Sequence, residues 1–291
     1  MVNLSQLGYL AAVIPFYVLI WVPLQNLIFG TGTPRPSDPS AAILNSTFIA
    51  SDDPIECAPH AYQTFTLSHE PLIIYVEDFL SELESKHLVK ISLIVHDSKS
   101  ALANQDNQSS EDNYAPSTVS TGAETAVQKD IRFSEVALIE RDDTVRCIEH
   151  RARAFQGWRP DLHIERLRTQ RYGVGGHYKN HYDWSGASRA ADRISTFMVY
   201  VDANCTGGGT NFPRIAMPSL EKGRWCDFLE CKEGDSDRGV TFKPIKRNAI
   251  FWLNLAPDGR GYEETLHAGL PILTGMKVGL NIWSWGPARR T

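Results

Sequence analysis

Four side chains carry the chemistry of this sequence: His181, Asp183, His267 and Lys277. In the segment YGVGGHYKNHYDW (172–184), His181 and Asp183 stand two apart. On a β-strand, residues i and i+2 point to the same side. An imidazole and a carboxylate so spaced can converge on one ion. Taken alone, a His-x-Asp pair is better explained by surface hydrogen bonding. A second histidine, His267 in the strand-like run ETLHAG (264–269), would complete a two-His, one-carboxylate triad. Such a triad occupies one face of an octahedral iron and leaves three positions open. By itself His267 reads as a structural histidine. Lys277 falls in MKVGLNIWSW (276–285), where parity groups it with Gly279, Asn281, Trp283 and Trp285. Met276, Val278, Leu280 and Ile282 take the opposite face. A buried ammonium needs a partner, and a dicarboxylate co-substrate would supply one. The plain alternative is an amine reaching solvent at the strand end.

Other metal arrangements compete less well. His177 and His181 are four apart, as in zinc-binding helices, but no Glu follows the first and the glycines around them oppose a helix. His177 could share a face with His181 if the strand ran unbroken, although Gly175-Gly176 suggests a turn. Cys226 and Cys231 have acidic neighbours, yet no second Cys pair supports a zinc site. The Gly173–Gly176 run is not followed by an amphipathic helix, which argues against a nucleotide loop.

The elements that must position these residues are legible in outline. PLIIYVEDFL (71–80) is an apolar, strand-like run. A helix is expected over 81–95, with Ser81 as N-cap and Glu84 closing a capping box. Leu83, Leu88, Ile91 and Ile94 recur there at helical spacing. A second helix fits 144–158. Residues 96–130 are dominated by polar and small side chains and read as a flexible insert rather than a core element. Beyond them come short β-rich runs at 163–172, 194–202, 244–254, 264–269 and 276–285, separated by turn residues. Helices first and strands after predict a jelly roll buttressed by helices.

The amino-terminal quarter is organised differently. No charged residue occurs from Gly8 to Phe29, roughly the 20 residues that span a ~30 Å hydrocarbon layer. Residues 1–30 therefore read as a transmembrane signal anchor, with a cleaved signal peptide as the alternative. Residues 31–69 read as a stalk, rich in Pro, Ser, Thr and Asp up to residue 56. The remainder, 70–291, forms the folded domain. Sequons at Asn45, Asn107 and Asn204 and five cysteines suit an oxidising lumen. Cysteine pairing is not readable from spacing. A net charge of −5 excludes a general nucleic-acid binder.

As a set, Glu165, YGVGGHYKNHYDW, RISTFMVYVD (193–202), GGGTNFP (207–213), PIKRNAIFWLN (244–254) and LHAGLPILTGMKVGLNIW (266–283) resemble the catalytic domain of prolyl 4-hydroxylases. The resemblance spans roughly residues 70–286, and WCDFLECKEGDSDRGVTFKP (225–244) resembles filamentous-fungal members. It implies a double-stranded β-helix (jelly roll) with Fe(II) on His181, Asp183 and His267. It implies 2-oxoglutarate held by Lys277, Tyr178 and Thr210, with O2 and L-ascorbate as further requirements. It places Glu165, Tyr172, Arg193 and Trp283 along a substrate groove. Glu165 with Arg193 also reads as an ordinary cross-strand pair, and Tyr172 and Trp283 as core aromatics. The implied reaction is hydroxylation of peptidyl proline in the endoplasmic reticulum lumen, with succinate as by-product. Rival readings are the same chemistry on a small proline-like metabolite and a jelly-roll module without turnover. The departures bear on the substrate: a short tract from Asp183 to Arg193, a bulky Trp285, His177, and no extra peptide-binding domain.

Overall fold

Alternation along β11 (Asp192–Gly207) organises the molecule. Phe197, Val199 and Val201 project to one side and pack with the helices, while Met198 and Tyr200 project to the other. This is the period-2 geometry of a strand buried on both faces. The structure, a computed structural model, describes residues 48–51, 53–93, 113–120, 125–186, 191–218, 224–231 and 239–288. They belong to one compact unit, Leu44–Thr291.

The major sheet contains β1 (Gln63–His69), β2 (Leu72–Glu77), β14 (Ala249–Leu253), β11, β16 (Ile272–Gly286), β9 (Arg168–Tyr172), β7 (Glu135–Leu138) and β3 (Ala115–Pro116), in that spatial order. A short β8 (His163–Ile164) also pairs with β16. The minor sheet runs β13 (Val240–Phe242), β12 (Thr210–Phe212), β15 (His267–Gly269), β10 (His177–His181) and β6 (Arg132–Phe133). All pairings are antiparallel. Tyr75, Met198, Tyr200, Ile250 and Trp252 of one sheet meet Phe212, Val240 and Phe242 of the other, closing the expected jelly roll.

Two helices cover the outer face of the major sheet. Helix α1 (Glu82–Ser92) opens with the expected capping box: Ser81 Oγ accepts from Glu84 N at 3.2 Å, and Ser81 N donates to Glu84 Oε2 at 2.8 Å. Leu88 and Ile91 are buried, but Leu83 is 79% exposed and does not belong to the apolar stripe. Ser85 takes its place on the buried side, bonded to the Val201 carbonyl. Helix α2 (Asp143–Phe155) is capped by Asp142 and buries Val145, Ile148 and Ala152. A four-residue helix, α3 (Trp225–Phe228), precedes β13.

Other expectations need adjustment. Within 96–130, residues 96–112 and 121–124 lie outside the described residues. The remainder holds β3 and a hairpin of β4 (Val119–Ser120) and β5 (Thr125–Ala126), and Ser117 is buried against Ser134. Two-residue strands are too short to leave a periodic pattern, so composition hid them. Cys226 is disulfide-bonded to Cys231, which removes a zinc site there, and Cys57 is bonded to Cys147. Cys205 is a free thiol. Among the described residues no helix is long and apolar enough to cross a membrane. The proposed anchor at 1–30 and the stalk as far as residue 47 lie outside them.

Candidate metal centre

Strand β10 ends on His181, directly opposite His267 of β15 in the ladder. The register slips between Tyr178 and His181, so β10 is not an unbroken strand. That slip separates His177 from the centre. Its Nδ1 donates to the Gly175 carbonyl and its other nitrogen faces the Asp130 carbonyl. Asp183 lies two residues beyond the strand end rather than on it, so a bend, not strand parity alone, brings its carboxylate round. Oδ1 stands 3.7 Å from His181 Nε2 and Oδ2 stands 3.9 Å from His267 Nε2. The three ligand atoms lie within 4.8 Å of one another.

Both imidazoles are set for metal binding by the same device. His181 Nδ1 donates to the Lys179 carbonyl and His267 Nδ1 to the Thr265 carbonyl, each at 2.9 Å. A carbonyl can only accept, so the ring proton sits on Nδ1 and the Nε2 lone pair faces the carboxylate. Burial, reinforced by the neighbouring His267, pulls His181 down to about 3, which leaves it neutral at physiological pH. Burial pushes the Asp183 carboxyl up, but His267, His181 and Arg193 outweigh it and hold the group below its ordinary value. Two imidazoles that turn Nε2 inward and one ionised carboxylate in a buried site are a donor set that fits a divalent iron.

A buried relay aims the carboxylate. Trp252 Nε1 donates to Asn254 Oδ1 at 2.8 Å. Asn254 Nδ2 donates to Thr196 Oγ1 at 3.0 Å, and Thr196 Oγ1 donates to Asp183 Oδ2 at 2.9 Å. The relay was missed in the sequence, although polar residues inside the apolar runs ISTFMVYVD and AIFWLN were its signal. Thr196→Val keeps the shape and removes the last donor, so metal affinity should fall about 10–100-fold. Titration of the apoprotein with iron(II) or cobalt(II) would read this. Unchanged affinity would show that the relay does not orient the ligand.

Lys277 lies on β16, level with Tyr172 of β9, and is 1% exposed. It donates to the carbonyl of Gly208, and the rings of Tyr172 and Tyr200 lie 4.9 and 5.8 Å from its Nζ. Gly208 has φ +72, a conformation that favours glycine, where that carbonyl turns inward. Among the described residues no carboxylate pairs with the ammonium. Burial pulls it down to about 8, with the Cys205 thiol opposing slightly. Lys277, Tyr178, Thr210, Tyr172 and the two histidines line one pocket, floored by Met198, Trp252 and Asn281. Tyr178 stacks on His181 with ring centroids 3.6 Å apart. Thr210 Oγ1 accepts from Tyr200 Oη at 2.8 Å.

Residues 167–285 match the 2OG-Fe(II) oxygenase superfamily. The chain carries a 2OG-Fe(II) oxygenase domain. As an oxygenase of this class it uses Fe(II), 2-oxoglutarate and O2, and the reading as a module without turnover falls away. Its similarity extends beyond the matched segment. Probable prolyl 4-hydroxylase 4 of Arabidopsis thaliana is 29% identical over 251 residues, covering 84% of this chain and 76% of the relative. Prolyl 4-hydroxylase subunit alpha-3 of Homo sapiens is 28% identical over 226 residues, covering 74% of this chain and 34% of that subunit. Among solved structures, the viral collagen prolyl hydroxylase of Paramecium Bursaria Chlorella virus-1 aligns with a TM-score of 0.48 at 23% identity, over 74% of this chain and 96% of that one.

Of the remaining expected residues, Glu165, Arg193 and Trp283 form a second group in the oxygenase. Glu165 Oε2 accepts from Arg193 Nε at 3.1 Å and Nη2 at 2.9 Å, and the Arg193 guanidinium lies 3.7 Å from the centre of the Trp283 ring. Tyr172 sits apart from this group, over Lys277.

Proposed function

We propose that this oxygenase hydroxylates peptidyl proline, using iron(II) on His181, Asp183 and His267 and 2-oxoglutarate anchored by Lys277. One observation carries the reading. The two histidine ligands, which Asp183 faces, and a buried ammonium with no carboxylate partner among the described residues line a single pocket. A co-substrate that chelates metal at one end and carries a free carboxylate at the other answers both demands. Lys277 would take that distal carboxylate as a charge-assisted pair. Thr210 already accepts from Tyr200, so its own hydroxyl proton is available to the same group. Burial raises the Tyr178 phenol, which keeps it protonated and a donor.

Iron bound there, with 2-oxoglutarate and O2, supplies oxidative decarboxylation to succinate and CO2 coupled to hydroxylation of a C–H bond. The chain's own contribution is to hold and shield. The Thr196 hydroxyl keeps the carboxylate oriented. Tyr178 stacks over His181, Trp252 packs edge-on against His267, and Met198 closes the floor, which limits water in the pocket. The choice of proline rests on the plant and human relatives named above. Glu165, Arg193 and Trp283 form the wall that supports a peptide, and Tyr172 belongs to the co-substrate side. Ascorbate would restore oxidised iron. Two disulfides and an exposed sequon at Asn204, near the end of β11, support a glycosylated, secretory-pathway enzyme anchored by residues 1–30.

The test is mass spectrometry after incubation with iron(II), ascorbate and 2-oxoglutarate. Proline-rich peptides and free proline derivatives should be offered side by side. The expected product is a peptide one oxygen heavier, formed in step with succinate. An oxygenated small molecule with untouched peptides would move the enzyme to metabolite chemistry.

A further inference from the structure

Arg193 is the one cation in the proposed peptide wall whose orientation is set by more than its ion pair. Its Nε and Nη2 both reach Glu165 Oε2. The same oxygen accepts from Trp285 Nε1 at 3.0 Å. The guanidinium lies between Trp283 and Trp285, 3.7 and 5.7 Å from the ring centres. Glu165 is 1% exposed, so its carboxylate has little freedom to follow water. Arg193 Nη1 has no hydrogen-bond partner among the described residues and is the edge left for a ligand.

Trp285 is itself held from outside the catalytic domain's strands. Phe48 packs edge-on against it, with centroids 5.6 Å apart and planes at 73°. Phe48 belongs to a short extended strap that adds to the segment carrying Glu165. The Arg166 N–H donates to the Phe48 carbonyl at 2.9 Å, and the Ala50 N–H donates to the Ile164 carbonyl at 2.8 Å. Between these bonds, Ile49 bridges Glu165 itself. Further along, Cys57 ties the incoming chain to Cys147 of α2.

We propose that Phe48 and Trp285 are positioning residues, which lock Glu165 and thereby fix Arg193 in one orientation for the substrate. The inference rests on the peptide reading above. A long arginine side chain loses much rotamer freedom when it binds a ligand. Fixing it beforehand lowers that cost and so raises affinity. The strap that enters the domain thus tunes substrate binding without touching substrate. It is distinct from the metal and co-substrate residues, so its signature is confined to the peptide.

The experiment compares wild type with Trp285→Phe, Phe48→Ala and Phe48→Trp. Trp285→Phe keeps the ring and deletes the N–H donated to Glu165. We expect KM for the peptide to rise about tenfold, the scale of one hydrogen bond to a charged group, while kcat at saturating peptide and KM for 2-oxoglutarate stay near wild type. Phe48→Ala should shift peptide KM in the same direction and Phe48→Trp should restore it. Circular dichroism and Tm identify a variant that fails to fold, and the remaining Phe48 variant then decides. Equal peptide KM in all folded variants overturns the positioning role while leaving the function intact. A fall in kcat with KM unchanged also overturns it. A wild-type enzyme that forms succinate but oxidises no peptide overturns the substrate reading, and this inference with it.

Discussion

Asp183→Ala removes succinate formation and iron binding together. The carboxylate is the only anionic member of the triad, and it faces both Nε2 atoms at 3.7 and 3.9 Å. Its loss leaves two imidazoles and a Thr196 hydroxyl without its acceptor, with no anion to balance a dication. Losing a group that merely supports a ligand costs about 10–100-fold, and losing the ligand itself should exceed that. Succinate measured with and without peptide, alongside iron content after desalting, gives the two readouts. A variant keeping a tenth of wild-type turnover, or a full complement of iron, would remove Asp183 from the coordination sphere.

Lys277→Met should separate stability from co-substrate affinity. Methionine fills a similar volume without a charge. Truncating one partner of a buried charge pair costs about 2–5 kcal/mol, so KM for 2-oxoglutarate should rise by about 30-fold or more. In the absence of 2-oxoglutarate the same change should stabilise the fold, because a buried ammonium without a carboxylate partner is removed. The pH dependence has a definite sign. Burial lowers this amine from 10.5 to about 8 in the folded protein. Its cost to folding is therefore complete below about pH 8 and fades as pH rises towards 10.5, where the unfolded chain also loses the proton. Urea denaturation at pH 7 should favour the variant clearly, and at pH 9.5 by less. Unchanged KM for 2-oxoglutarate would end Lys277's role as anchor.

The sequence made the chemistry more legible than its supports. Lys277 could be placed because β16 alternates cleanly: Val278, Leu280 and Ile282 enter the core beneath the helices while the lysine faces the pocket. The capping box at Ser81 is local, and local rules transfer directly. Leu83 misled because apolar character alone does not decide which side of a short helix is covered. Asp183 was grouped with the two histidines for an incomplete reason, since the chain bends after His181. The relay from Trp252 to Thr196 joins β14 to β11, and such long-range partners leave no mark in spacing. Disulfide partners were equally hidden: Cys57 and Cys147 are 90 residues apart.

The paired backbone carbonyls that hold the two imidazole protons have a consequence for metal traffic. The chelating geometry is built by the strands before any ion arrives, so little reorganisation is left to discriminate one divalent ion from another. Nitrogen and oxygen donors of this kind generally bind cobalt, nickel and zinc more tightly than ferrous iron. Such ions should occupy the cradle and arrest turnover. Correct loading would then depend on which ion the surrounding compartment keeps available.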